Sequence, residues 1–288
     1  MPSSLLKRLR LSAELVAFQH TIFALPFAFM GMILAGNGWP PPARILFVTL
    51  AMAGARTAAM TFNRLVDERF DRLNPRTSGR PLPSGRLSRS WALGLFVASI
   101  GVFAGSAAAL NSLCLYLSPV ALAIILTYSL SKRITYLTHI HLGASLGIAP
   151  IASWIAITGA PAWPPLLLGL AVATWTAGFD LIYSCQDVEF DRKTGLHSFP
   201  ARFGIAAALR FSSALHVVMV LSLVALALMI PLGWVYAAGL LGVISILIVE
   251  HRMVRPDDLS RANSAFFAAN GWVSVGLFAA TAIDVAFR

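Results

Sequence analysis

Nine apolar stretches follow one another along the chain, near residues 19–35, 45–64, 91–110, 114–130, 142–158, 165–183, 209–230, 234–249 and 265–285. At ~1.5 Å of rise per residue, helices of this length cross a hydrocarbon core of about 30 Å. Lipid offers no partner to a free backbone N–H or C=O, so the stretches are expected to be helices and the chain an all-α, polytopic membrane protein with nine transmembrane helices. With 58% hydrophobic and 12% charged residues, the chain has too little polar surface for a soluble globule. Turn signals separate the stretches: Gly36-Asn37-Gly38 with Pro40 to Pro42, Asn111-Ser112, Pro161 and Pro164, and Pro231-Leu232-Gly233.

Charge orients these helices, because Lys and Arg of short loops collect on the cytoplasmic side. With the N-terminus inside, the inner segments hold Lys7, Arg8 and Arg10, then Arg69 to Arg89, then Lys132 and Arg133, then Arg192 to Arg210, then Arg252 to Arg261. Only Arg44 and Arg288 remain outside. The net charge of +10 therefore describes a cytoplasmic rim suited to anionic headgroups or an anionic substrate. No soluble basic domain exists to carry nucleic acid. Residues 1–288 are expected to form a single transmembrane domain, with 1–18 as an interfacial helix, 19–140 as a first half and 141–288 as a second. Glu14 interrupts the approach to the first apolar run, which argues against a cleaved signal peptide. Trp39, Trp163 and Trp234 read as outer interfacial anchors. Cys114 and Cys185 fall near opposite faces and have no metal-ligand spacing.

Seven of the twelve acidic residues gather in two places, which solubility does not explain: Asp67, Glu68 and Asp71, then Asp180, Asp187, Glu189 and Asp191. On a helix, Asn63, Asp67 and Asp71 stack along one face, and Asp180, Tyr183, Asp187 and Asp191 are expected to stack in the same way. At an offset of 120 residues Asp67, Phe70, Asp71 and Arg72 coincide with Asp187, Phe190, Asp191 and Arg192, the pattern of an internal repeat. Carboxylate pairs one turn apart suit a hard divalent cation. Mg²⁺ favours one or two carboxylates together with phosphate oxygens. Arg76, Arg80, Lys132, Arg133, Arg192, Lys193 and Arg202 are candidates to neutralise a diphosphate. For Glu68, Arg69, Arg86 and Arg89 the better reading is solvated rim charge. A diphosphate at the mouth of a lipid-exposed bundle suggests an isoprenoid diphosphate, whose tail lies among apolar helices and whose departure leaves an allylic cation.

These residues resemble the UbiA superfamily of intramembrane prenyltransferases over nearly the whole chain. Asn63 to Asp71, continuing through Asn74 to the Arg80-Pro81-Leu82-Pro83-Ser84-Gly85 tail, is similar to the family's first signature. Tyr128 to Thr135 is similar to its Tyr-x-x-x-Lys-Arg-x-Thr loop, and Asp187 to Asp191 to its second Asp-rich motif. The resemblance implies a nine-helix bundle in a bacterial cytoplasmic membrane, with the active site on the cytoplasmic side. It implies Mg²⁺-dependent transfer of a polyprenyl group from its diphosphate to a ring carbon of an aromatic hydroxy acid. Asn63, Asp67, Asp71, Asp187 and Asp191 would take the metal and diphosphate roles, with Arg80, Lys132 and Arg133 on phosphate oxygens.

Arg56 matches a family arginine, and both acceptor contact and an ion pair with Asp180 remain open for it. Arg64 stands where many members have Asp. Gly178 to Tyr183 and Gly195 to Gly204 resemble the 4-hydroxybenzoate polyprenyltransferase-like branch, some of whose members use 1,4-dihydroxy-6-naphthoate. Both acceptors are phenolic acids, so sequence chemistry does not separate them. His197 is a candidate for diphosphate, and His20, His139 and His141 for the acceptor, with packing the default for each. A transporter is the rival of another class, since repeated halves and intramembrane charges occur there too.

Overall fold

The computed structural model describes residues 2–16, 24–262 and 269–287. Twelve helices are described: α1 (Pro2–Leu15), α2 (Leu25–Gly36), α3 (Pro42–Leu73), α4 (Arg89–Leu110), α5 (Ser112–Ser131), α6 (Thr138–Thr158), α7 (Trp163–Ser184), α8 (Val188–Thr194), α9 (Phe199–Phe203), α10 (Ile205–Met229), α11 (Trp234–Met253) and α12 (Asn270–Ala286). Among the described residues there is no strand, only one bridge between Arg255 and Asp258.

Seven helical stretches are long and apolar enough to cross a membrane: α3, α4, α5, α6, α7 with its continuation to Thr194, α10 and α11. The protein is therefore an integral membrane protein, although α2 and α12, with 12 and 17 residues, are shorter than the spans expected at 19–35 and 265–285. The start of the first expected span, His20 included, and residues 265–268 of the last lie outside the described residues. On α10, Val217, Leu221, Val224 and Leu228 form an exposed apolar stripe, while Leu215, Met219, Ser222 and Leu226 on the other side are buried. Such a stripe is costly in water and neutral in lipid.

The chain divides into two compact units, one of residues 1–21 and 46–130, the other of 22–45 and 131–288. In the first, Leu11 and Leu15 of α1 pack with Leu82, Leu87 and Ala92. The ring N–H of Trp91 donates to Ser12 Oγ at 3.0 Å, and Arg86 forks onto both carboxylate oxygens of Glu14 at 2.6 and 3.1 Å. Arg86 is exposed, as expected of rim charge, and this surface pair links α1 to the loop before α4. Leu5, Leu6 and Leu9 remain exposed on the other face of α1.

In the second unit Trp175 is fully buried, with Phe27 and Phe179 at centroid distances of 5.2 and 5.0 Å. Small residues let α6 and α7 approach closely: a methyl group on Gly147 would lie 2.6 Å from the Gly169 carbonyl oxygen. Gly147→Leu is expected to destabilise the solubilised protein by at least about 1–3 kcal/mol, the usual penalty of overpacking. An unchanged thermal midpoint would mean that the two helices have room to part. Asp284 closes the start of α11, accepting from the N–H groups of Gly233 at 2.8 Å and Tyr236 at 3.2 Å.

Candidate active site

The first acidic motif lies on one unbroken helix. Because α3 runs from Pro42 to Leu73, Asn63, Asp67 and Asp71 share a face. Asn63 Nδ2 donates to Asp67 Oδ2 at 2.9 Å, and Arg64 Nη1 donates to Asn63 Oδ1 at 3.0 Å. Arg64 also reaches back to the Leu15 carbonyl at 3.4 Å.

The following loop returns on itself through short turns. Asn74 Oδ1 accepts from the Arg76 N–H at 2.9 Å, and Thr77 Oγ donates to the Asp71 carbonyl at 3.0 Å. Gly85, at φ +72°, takes the left-handed conformation that glycine adopts without strain. This path brings Arg80 Nη1 to 2.7 Å from Asp71 Oδ1. Asp71 is buried, and its Oδ2 has no hydrogen-bond partner among the described residues. Glu68, expected to be solvated, pairs with Arg72 at 2.9 Å and Arg89 at 3.2 Å. Arg56 is half-buried on α3, Arg76 is exposed, and Arg69 is exposed as rim charge.

The second motif departs from the expected geometry. Asp180, Tyr183, Asp187 and Asp191 do not share one regular α-helix, because α7 ends at Ser184 and Cys185–Asp187 form a 3₁₀ turn before α8. Asp187 sits at φ −100°, ψ 4°, in the bridge region rather than the α region, which breaks the helical phase. Gly195 caps α8 in the left-handed conformation, and the His197 N–H then donates to the Lys132 carbonyl at 2.7 Å. Lys132 Nζ lies 3.8 Å from Asp191 Oδ2. Asp191 is 2% exposed, and that oxygen accepts no hydrogen bond from the described residues.

The remaining candidates divide. The His197 ring packs edge-on against Tyr136 at 4.6 Å, and Arg202 lies over the same Tyr136 ring at 5.5 Å. Arg192 donates to the Ala201 carbonyl at 2.9 Å, so its guanidinium helps fasten the loop. Arg133 and Lys193 are exposed, and Tyr183 packs against the core of the second unit. Asp180 Oδ2 pairs with His139 Nδ1 at 2.6 Å, and His141 Nδ1 with Ser131 Oγ at 2.6 Å.

Sequence reasoning passed over a buried polar chain in the second unit. His216 Nδ1 and His251 Nε2 are 2.9 Å apart, and Asn270 Nδ2 donates to Glu250 Oε1 at 3.2 Å. Glu250 is fully buried. Its signal was an acid and a histidine adjacent at the end of an apolar stretch.

The carboxylate oxygens of Asp71 and Asp191 that accept no hydrogen bond from the described residues are hard donors of the kind Mg²⁺ takes. Among the described residues no three His, Cys, Asp or Glu side chains form a cation cage. The ligand sets are partial, as they are where a metal completes its shell with water and substrate phosphate. The acidic residues therefore fit such an ion.

The sequence profile of the UbiA prenyltransferase family matches residues 24–272. A 4-hydroxybenzoate octaprenyltransferase of Alkalilimnicola ehrlichii is 32% identical over 258 residues, covering 88% of this chain and 86% of that protein. The apo structure of a UbiA homologue from Aeropyrum pernix is 36% identical with a TM-score of 0.84, covering 92% of this chain and 98% of that one. A UbiA homologue from Archaeoglobus fulgidus bound to GPP and Mg²⁺ shares the fold at 21% identity and a TM-score of 0.77, over 96% of this chain and 99% of that one.

Proposed function

We infer the reaction from kinship: the chain belongs to the UbiA prenyltransferase family, and we propose that it transfers a polyprenyl group from its diphosphate to a ring carbon of 4-hydroxybenzoate in quinone biosynthesis. In this reading the chain is one transmembrane prenyltransferase domain of nine spans, with α2 and α12 completing the seven longer ones. Its N-terminus and both acidic motifs face the cytoplasm. The observation that carries the reading is the two buried aspartates, Asp71 and Asp191, each with an oxygen that accepts no hydrogen bond from the described residues and a cationic side chain beside the carboxylate.

Asp67, Asp71, Asp187 and Asp191, with Asn63, would hold Mg²⁺, which when bound neutralises charge on the departing diphosphate. Arg80 and Lys132 already touch the acidic motifs and are placed to turn to phosphate oxygens, with Arg76, Arg133, Arg192 and Lys193 adding field at the rim. The prenyl tail lies among apolar helices, and the cation it leaves is captured by the ring carbon ortho to the phenol. Arg56, about two turns deeper than Asn63 on the same stripe of α3, is assigned to the acceptor carboxylate.

The test is an assay of the purified protein with geranyl diphosphate, 4-hydroxybenzoate and Mg²⁺, scored for pyrophosphate and prenylated phenol. Running 1,4-dihydroxy-6-naphthoate beside it decides the acceptor, and transfer to neither acid would sink the proposal. Arg56→Ala is expected to raise the acceptor KM at least about 10-fold, the value of a charge-assisted hydrogen bond, with little change for the donor. The reverse pattern would remove Arg56 from the acceptor site.

A further inference from the structure

His139, the second residue of α6, is 1% exposed, and its Nδ1 lies 2.6 Å from Asp180 Oδ2 near the end of α7. A carboxylate at that distance accepts the Nδ1 proton, which in a neutral imidazole leaves the lone pair on Nε2. That Nε2 is buried and has no hydrogen-bond partner among the described residues. A polar atom stranded in this way costs about 1–3 kcal/mol, so a fold retains it where a ligand supplies the partner. The imidazole is also an electrostatic neighbour of Asp191 in the second acidic motif. A base oriented by a carboxylate therefore sits beside the place assigned to the diphosphate.

We propose that His139 is the general base that takes the acceptor's phenolic proton, with Asp180 as its positioning residue. The inference rests on the prenyl-transfer reading above. As the donor's C–O bond breaks, its electron pair leaves with the diphosphate and an allylic cation remains. The ring carbon ortho to the phenol gives a π pair to form the new C–C bond, while the phenolic O–H bond supplies the electrons of a ring carbonyl and its proton passes to His139 Nε2. Asp180 stabilises the resulting imidazolium. The dienone then loses the proton of the alkylated carbon to water and recovers a proton at oxygen from His139. The products are prenylated phenol, diphosphate and one proton.

The experiment compares wild type and His139→Gln on 4-hydroxybenzoate and on 3-fluoro-4-hydroxybenzoate, which has a more acidic phenol and one open ortho carbon. General-base catalysis is worth about 10²–10⁴-fold, so kcat should fall at least about 100-fold on the first acid. On the fluorinated acid, whose phenol ionises without help, it should fall less than about 10-fold. Equal losses on both acids, or a loss confined to KM, would overturn the assignment. If His139→Gln does not fold, Asp180→Asn takes its place with the same two acids and the same criterion. A wild type that prenylates neither acid ends the transfer reading and this inference with it. A wild type active on both, with a variant equally impaired on both, ends this inference alone.

Discussion

Asp71→Asn and Asp191→Asn are each expected to reduce turnover at least about 10³-fold while leaving the solubilised fold intact. The substitution keeps shape and removes a charge, so it isolates what the carboxylate does. Both aspartates are buried, yet their cationic partners reach water, since the side chains of Arg80 and Lys132 are 29% and 36% exposed. A cation left alone there turns to solvent, and the fold avoids the cost of a stranded buried charge. Catalysis has no such escape. In the proposed reaction, metal-assisted departure of the diphosphate would depend on charge that an amide does not carry, and several kcal/mol of lost stabilisation is about 10³-fold or more in rate. Pyrophosphate release and the thermal midpoint, measured on the same preparations, check both halves. Retention of a tenth of the activity, or unfolding of both variants, would return these residues to a structural role.

Stripping divalent cations should abolish donor binding as well as turnover. The diphosphate and the acidic motifs carry the same sign of charge, and a like pair at ~4 Å repels by about 4 kcal/mol at an effective dielectric constant near 20. Arg80 and Lys132 offset part of this, but their charge is already shared with Asp71 and Asp191. Calorimetric titration with a non-ionisable donor analogue is expected to give one site per chain with Mg²⁺ and no heat of binding in a chelator. Either aspartate variant should lose that site. Equal affinity with and without the metal would mean that the arginines and lysines alone hold the donor.

Much of this architecture was legible because its signals are local. Apolar stretches and turn residues marked α4 to α7, α10 and α11 within a few residues, while α3 runs nine residues past the span expected at 45–64 and carries Asn63, Asp67 and Asp71 on one face, as their four-residue spacing implied. Contacts made by chain return were not legible. Nothing in the spacing of Arg80 distinguishes it from Arg76, yet only the turns after Asn74 bring it onto Asp71. His139 and Asp180 are 41 residues apart, so their bond depends on how α6 and α7 pack. Arg64 looked like a lost carboxylate; in place it braces Asn63, which in turn holds Asp67, and so it orders the first motif from the side. Burial assigned Glu250 and Asp284 to polar contacts between helices, a role that position in the sequence does not announce.

The 3₁₀ turn at Cys185–Asp187 carries a consequence for the 120-residue correspondence. Three residues wound at about 120° each instead of about 100° advance the chain by roughly 60° and lengthen it by about 1.5 Å. Matched letters in the two motifs therefore project along different azimuths. Transplanting residues 63–72 in place of 183–192 would preserve every aspartate and still misdirect them, unless the tightened winding travelled too.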